Sequence, residues 1–219
     1  MAVGIVSLNN FSRSEFSRIA KTFICEEYPE LVDYLKKFAF SHHQEGLFQT
    51  YLFKDNDGIH KGYISFTITS VTQEKDEELR EEINISKNMI YPIPALKITR
   101  LCVSKDWKKS GIGSILMDFA LLLAYEQQLK IGCRIILVDS KQSAIEFYKS
   151  KGFQVLDAKE DIVPMFKEIE PLGSTSQIKA SSDKKDMLKS FIEFSDIFNV
   201  NAIGQTFKEL LTKLEDTKS

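Results

Sequence analysis

Long apolar runs are missing from this 219-residue chain. The longest charge-free apolar stretch, Phe119-Ala120-Leu121-Leu122-Leu123-Ala124-Tyr125, is bracketed by Asp118 and Glu126. A spanning helix needs about 20 apolar residues, so no membrane segment is expected. Cysteine is also scarce: Cys25, Cys102 and Cys133 are odd in number and lack metal-ligand spacing. That argues against a disulfide framework or a thiolate zinc site, and no metal is expected; a reducing cytoplasm fits best. Met1 to Asn10 shows neither the basic nor the apolar region of a signal peptide, which again points to a cytoplasmic location. Neither sign of charge dominates, with 29 Lys+Arg against 31 Asp+Glu. A pI near 6.0 removes the blanket attraction on which non-specific nucleic-acid binders rely. What is present, 43% hydrophobic and 27% charged residues, is enough for an ordinary globular core.

Residues 11–40 place Phe11, Phe16, Ile19, Phe23, Leu31, Leu35 and Phe38 at near-helical spacing, broken at Pro29, and predict two short helices. Phe48 to Phe53 and Gly62 to Val71 are β-branched and aromatic around Asp55-Asn56-Asp57-Gly58, which predicts an antiparallel pair. The acidic stretch Gln73 to Glu82 reads as a solvated helix or loop. Ala95 to Val103 then reads as a central strand, followed by the glycine loop Lys108-Lys109-Ser110-Gly111-Ile112-Gly113 and a helix to about Leu129. Arg134 to Val138 predicts a buried strand and Ser143 to Lys149 a helix ending near Gly152. Phe153 to Leu156 and Val163 to Ile169 read as two last strands around Lys159-Glu160-Asp161. A domain over 1–171 is therefore expected, then a Ser-rich linker over 172–185 and a helical appendage over 186–219. That appendage docks on the domain in the simpler reading; in the sharper one it makes a homodimer or restricts the substrate.

Between a strand end and a helix start, free backbone N–H groups and the helix dipole make an anion site. Lys108 and Lys109 add two cations there, so a pyrophosphate is a plausible ligand; the alternative is a two-glycine turn that only admits the chain to the helix. The loop is neither a Walker loop nor a Rossmann turn, because the Gly-Lys-Ser/Thr ending and the third glycine are absent.

The succession Ala95 to Val103, Lys108 to Gly113, Gly132-Cys133-Arg134-Ile135-Ile136-Leu137-Val138-Asp139 and Ala144-Ile145-Glu146-Phe147-Tyr148-Lys149-Ser150-Lys151-Gly152-Phe153 strongly resembles the GCN5-related N-acetyltransferase (GNAT) superfamily. The resemblance spans roughly 48–169 and is sharpest over 95–153. It implies an α/β (α+β) fold with a mixed, mostly antiparallel sheet of six to seven strands flanked by helices. It also implies that acetyl-coenzyme A binds where two parallel strands splay. Leu101, Cys102 and Val103 would then pair with the pantetheine arm. The pyrophosphate would rest on Lys108, Lys109, Ser110, Gly111, Ile112, Gly113 and Ser114, with Lys108 standing where the family has Arg or Gln. Ser143 and Phe147 would line the groove, while Lys141 replaces an Asn common in the family. Tyr148 would be the general acid that protonates the departing thiolate; its alternative is a core-edge aromatic.

The general base stays unassigned: Lys97 and Arg100 occupy the strand on which family members often carry a Glu, and Glu81, Glu82 and Asp139 are candidates by position only. Cys102 is expected to be a buried apolar residue rather than an acyl carrier, since nothing beside it would lower its pKa. His42, His43 and His60 are expected at loop or helix-end surfaces. The resulting expectation is an acetyltransferase using acetyl-CoA, with a small amine, peptide or protein lysine as acceptor. Residues 95–153 carry ten Lys/Arg against five acids, and segments such as Leu101-Cys102-Val103 look similar to toxins that acetylate aminoacyl-tRNA. Such a toxin, with tRNA as partner, is therefore the alternative; a non-catalytic acyl-coenzyme A-binding module is the rival from another class.

Overall fold

A computed structural model describes residues 3–71, 79, 83, 92–156, 162–172 and 179–216. Among the described residues seven strands form one sheet in the order β1-β2-β3-β4-β5-β7-β6. They are β1 (Gly4–Ser7), β2 (Gln49–Lys54), β3 (His60–Ser70), β4 (Pro94–Val103), β5 (Ile135–Lys141), β6 (Gln154–Val155) and β7 (Ile162–Glu168). All neighbours are antiparallel except β4 and β5. The helices are α1 (Arg13–Lys21), α2 (Pro29–Lys37), α3 (Ala39–Gln44), α4 (Ile112–Lys130), α5 (Ile145–Ser150), α6 (Lys179–Ile197) and α7 (Asn201–Asp216). This is the mixed, mostly antiparallel architecture that the family resemblance implies. The strand β1 and the short helix α3 were not foreseen, because a four-residue edge strand and a six-residue helix carry too little periodicity to be read.

The two faces of the sheet bury different residues. On one face α4, α6 and α7 cover Ile64, Phe66, Leu96, Ile98, Ile136, Val138, Val163 and Met165. On the other, α1–α3 pack over Leu52, Tyr63 and Cys102. A strand alternates faces with period two, yet in β4 Leu96 and Ile98 share a face with Leu101 and Val103. A bulge resolves the parity: Ile98 pairs with Phe66 and Arg100 with Ser65, leaving Thr99 as an extra residue.

Helix α1 opens on a capping box, in which the Ser12 side chain accepts from the Glu15 N–H and the Glu15 carboxylate accepts from the Ser12 N–H. Pro29 fits the first position of α2, where a missing N–H costs nothing. At the far end of α4, the N–H groups of Ile131 and Gly132 both donate to the Gln127 carbonyl at 2.9 Å. The C-terminal helices join the main core: Phe191 lies 5.3 Å from Tyr125 of α4 and 5.1 Å from Phe207, ring to ring. Helix α6 begins at Lys179, inside the stretch expected as linker. Most of Gln73–Glu82, including Glu81 and Glu82, lies outside the described residues, as does the turn Lys159–Asp161. Leu79 and Ile83 are described and fully buried.

Candidate active site

The site begins where β4 and β5 part. They pair in parallel only from Ala95–Ile135 to Ile98–Val138. Past that point the Thr99 bulge turns β4 away, and the β5-facing edge of Thr99–Val103 makes no strand pairing among the described residues. The Thr99 hydroxyl donates to the Ser65 carbonyl at 3.1 Å, so the bulge is tied to β3 and not to β5. Unpaired backbone N–H and C=O groups at a strand edge invite an extended ligand. A cavity of about 120 Å³ fills this splay. Ile98–Leu101 form one wall, Val138–Lys141 the opposite one, and Ala144, Tyr148, Tyr28 and Leu31 close it.

Tyr148 is held by its own helix and by aromatic contacts with Phe147 and Phe153, at 5.2 and 5.6 Å between ring centres. It is buried, and burial, with a smaller contribution from the nearby Tyr28, pushes its phenol well above the ordinary tyrosine value. The hydroxyl therefore stays protonated at neutral pH, the state a proton donor needs. The glycine loop sits beside it. Gly111 caps α4 with φ of 88° and Lys109 has φ of 62°, both left-handed. The first N–H groups of α4, those of Ile112, Gly113 and Ser114, have no partner within the helix. The Gly113 backbone packs against the Phe147 ring of α5, close enough that an added Cβ would make an ordinary van der Waals contact at 3.4 Å.

The predicted residues are thus partly gathered. Leu101 lines the cavity; Phe147 does not, but its ring lies between Gly113 of the loop and Tyr148 of the cavity wall, and Cys102 and Val103 lie beyond that wall. The Cys102 side chain points into the opposite core beside Cys25, Leu52 and Tyr63, and burial pushes its thiol far up, as its reading as an apolar residue requires. Ser143 does not line the cavity; its hydroxyl bonds that of Tyr28. Of the base candidates, Asp139 lines the cavity but its carboxylate is engaged by Lys97 at 2.6 Å. The histidines depart from expectation. His43 is buried and accepts from the Thr50 N–H at 3.0 Å, and burial also lowers His60.

Sequence reasoning missed Tyr28, Leu31, Thr99 and Ser140 as lining residues. Tyr28 and Leu31 come from the first helical region, with no local motif to connect them to a strand more than 60 residues on. The bulge at Thr99 was foreshadowed by the shift of apolar parity along Leu96, Ile98, Leu101 and Val103.

The model of the acetyltransferase (GNAT) domain matches residues 48–155. A tRNA-acetylating toxin of Mycobacterium tuberculosis is 30% identical over 128 residues, which cover 58% of this chain and 74% of that protein. The chain belongs to the GNAT acetyltransferases. Solved members share the architecture. The toxin AtaT, complexed with acetyl-methionyl-tRNA, superposes with a TM-score of 0.63 at 19% identity, over 76% of this chain and 94% of AtaT. The AtaTR structure bound with acetyl-CoA gives a TM-score of 0.61 at 20% identity, over 76% of this chain and 94% of the other. In this GNAT chain the matched span runs from just before β2 to β6, so it contains the splay, the loop and Tyr148 but not α1–α3 or the C-terminal helices.

Proposed function

We propose that this GNAT acetyltransferase moves the acetyl group of acetyl-CoA to the α-amino group of an aminoacyl-tRNA. The observation that carries the acceptor is the 30% identity, over 74% of its length, to a protein described as a tRNA-acetylating toxin. The donor side is supported by the fit of the residues. The unpaired edge of β4 suits a pantetheine arm, and the N-terminus of α4 with Lys108 and Lys109 suits a pyrophosphate.

In the transfer, the amine nitrogen bonds to the thioester carbonyl carbon, the C–S bond breaks, and its electron pair leaves on sulfur. Tyr148 gives its phenolic proton to that sulfur and is reprotonated from solvent, while the amine's surplus proton passes to water. The cleft contributes chiefly by holding the two reactants together. Tyr148→Phe should lower kcat by about 100-fold or more, with affinity for coenzyme A close to wild type. Unchanged turnover would remove Tyr148 from the mechanism.

A second reading, a small amine, peptide or protein lysine as acceptor, is favoured by charge. Lys97, Lys105, Lys108 and Lys141 around the cleft are each paired with a carboxylate, which weakens the basic footprint that RNA binding needs. Labelled acetyl-CoA offered with charged tRNA, the same tRNA deacylated, and an amine and peptide panel separates the two. Label on charged tRNA alone supports the proposal. Label on amines but never on tRNA overturns the acceptor while keeping the transferase.

A further inference from the structure

The end of the connection between α1 and α2 together with the first residues of α2, Glu26-Glu27-Tyr28-Pro29-Glu30, lies outside the family-matched span yet reaches across the cleft. Three carboxylates of this segment meet three lysines: Lys105 and Lys108, which follow β4, and Lys141 at the end of β5. Glu26 pairs with Lys105 at 2.6 Å, Glu27 with Lys108, and Glu30 with Lys141. Between them Tyr28 bonds the Ser143 hydroxyl, with the ammonium groups of Lys108 and Lys141 lying 5.6 and 4.7 Å from its ring centre. Lys108 opens the Lys-x-x-Gly-x-Gly loop, and Lys141 lines the cavity. The hydrogen bond to Lys108 is the main cause that lowers the Glu27 carboxyl, and the one to Lys141 does the same for Glu30. Both acids are therefore charged at neutral pH.

Two sets of anions thus need the same cations. We infer that the segment Glu26–Glu30 is an acidic strap that competes with the phosphates of coenzyme A for Lys108 and Lys141 and is displaced when the coenzyme binds. The inference rests on the coenzyme site proposed above. The pairs are surface-exposed, so each holds weakly and is screened by salt. A strap of such pairs yields to a multiply charged ligand without local unfolding. Because Tyr28 and Leu31 form part of the cavity wall, its release widens the cleft.

The test is calorimetric titration of coenzyme A into the full chain and into Glu27→Gln, Glu30→Gln and the double variant, with hydrogen exchange followed over residues 25–31. Glutamine keeps the shape of these exposed side chains, so the fold should hold. The strap predicts about 3- to 10-fold tighter binding by the double variant at low salt, a gain that shrinks toward none at about 0.5 M salt. It also predicts faster exchange over 25–31 in wild type when coenzyme A is added. Equal or weaker binding by the variants, or slower exchange on binding, overturns the strap while leaving the coenzyme site standing. No binding by any form overturns the site and the strap with it.

Discussion

Strand β5 has two neighbours that treat it differently. Toward β7 it is paired along its whole length, from Ile135–Glu168 to Lys141–Ile162. Toward β4 the pairing stops at Ile98–Val138. One side is a closed seam and the other an opening, made from the same seven residues. The seam is reinforced from outside, since Arg134 donates to the Ile169 carbonyl at 2.5 Å and pairs with Glu168 at 2.6 Å. The opening is kept by a single extra residue, Thr99. The difference shows that a binding edge need not be built from special side chains. It is enough to withhold backbone pairing on one side of a strand whose other side is fully satisfied.

The comparison is sharpest if damage to the two sides has different consequences. On the seam, Phe166 is fully buried among Ile135, Ala95 and Leu79. Phe166→Ala should cost about 3–5 kcal/mol of stability, and coenzyme affinity at a temperature where the variant is folded should stay near wild type. Denaturant melts and calorimetry would show both; a comparable loss of affinity would mean that the seam is part of the site.

On the open side, deleting Thr99 should let β4 run on beside β5 without changing which face Leu101 and Val103 occupy. Coenzyme A affinity should then fall by about 100-fold, roughly 2.7 kcal/mol, with a cooperative melt retained. Full affinity in the deletion variant would break the link between bulge and site.

Gly111→Glu forces a left-handed backbone on a residue with a Cβ and sets a carboxylate at the head of α4. Affinity for coenzyme A should drop by about 10-fold or more in the same titration, with little change in the seam.

The smallest effect lies away from both sides. His43 accepts from Thr50 and sits 3.5 Å from the Ser7 hydroxyl, bracing α3 against β2 and β1. Burial lowers its folded pKa, so the unfolded chain binds the proton more readily. Stability should be fully present above about pH 6.5, the unfolded value, and decline as pH falls below it. In His43→Gln the part of that decline owed to His43 should vanish, leaving the share of His60, whose folded pKa is also lowered. Thermal melts between pH 5 and 8 would show the flattening; an unaltered slope would mean that other groups set the acid limit.

The sequence by itself determined the order of elements from β2 onward and the chemistry of their ends. Periodicity fixed β4, α4 and β5 because a long amphipathic or apolar segment has few alternatives. The loop Lys108–Gly113 was legible because its spacing follows from a backbone need, a left-handed residue at Gly111, and the Phe147-Tyr148 pair because it stands in a motif that resembles the family's. Only the tertiary structure decided what stands opposite them. The Glu27–Lys108 and Glu30–Lys141 pairs join residues 81 and 111 apart, and no short-range pattern encodes a contact closed by the packing of α2 over β4. Burial of His43 was hidden for the same reason, since a histidine on a six-residue helix becomes internal only when β1 and β2 close over it. Local conformational preference acts between near neighbours along the chain, whereas burial and ion pairing act between whatever the fold brings together.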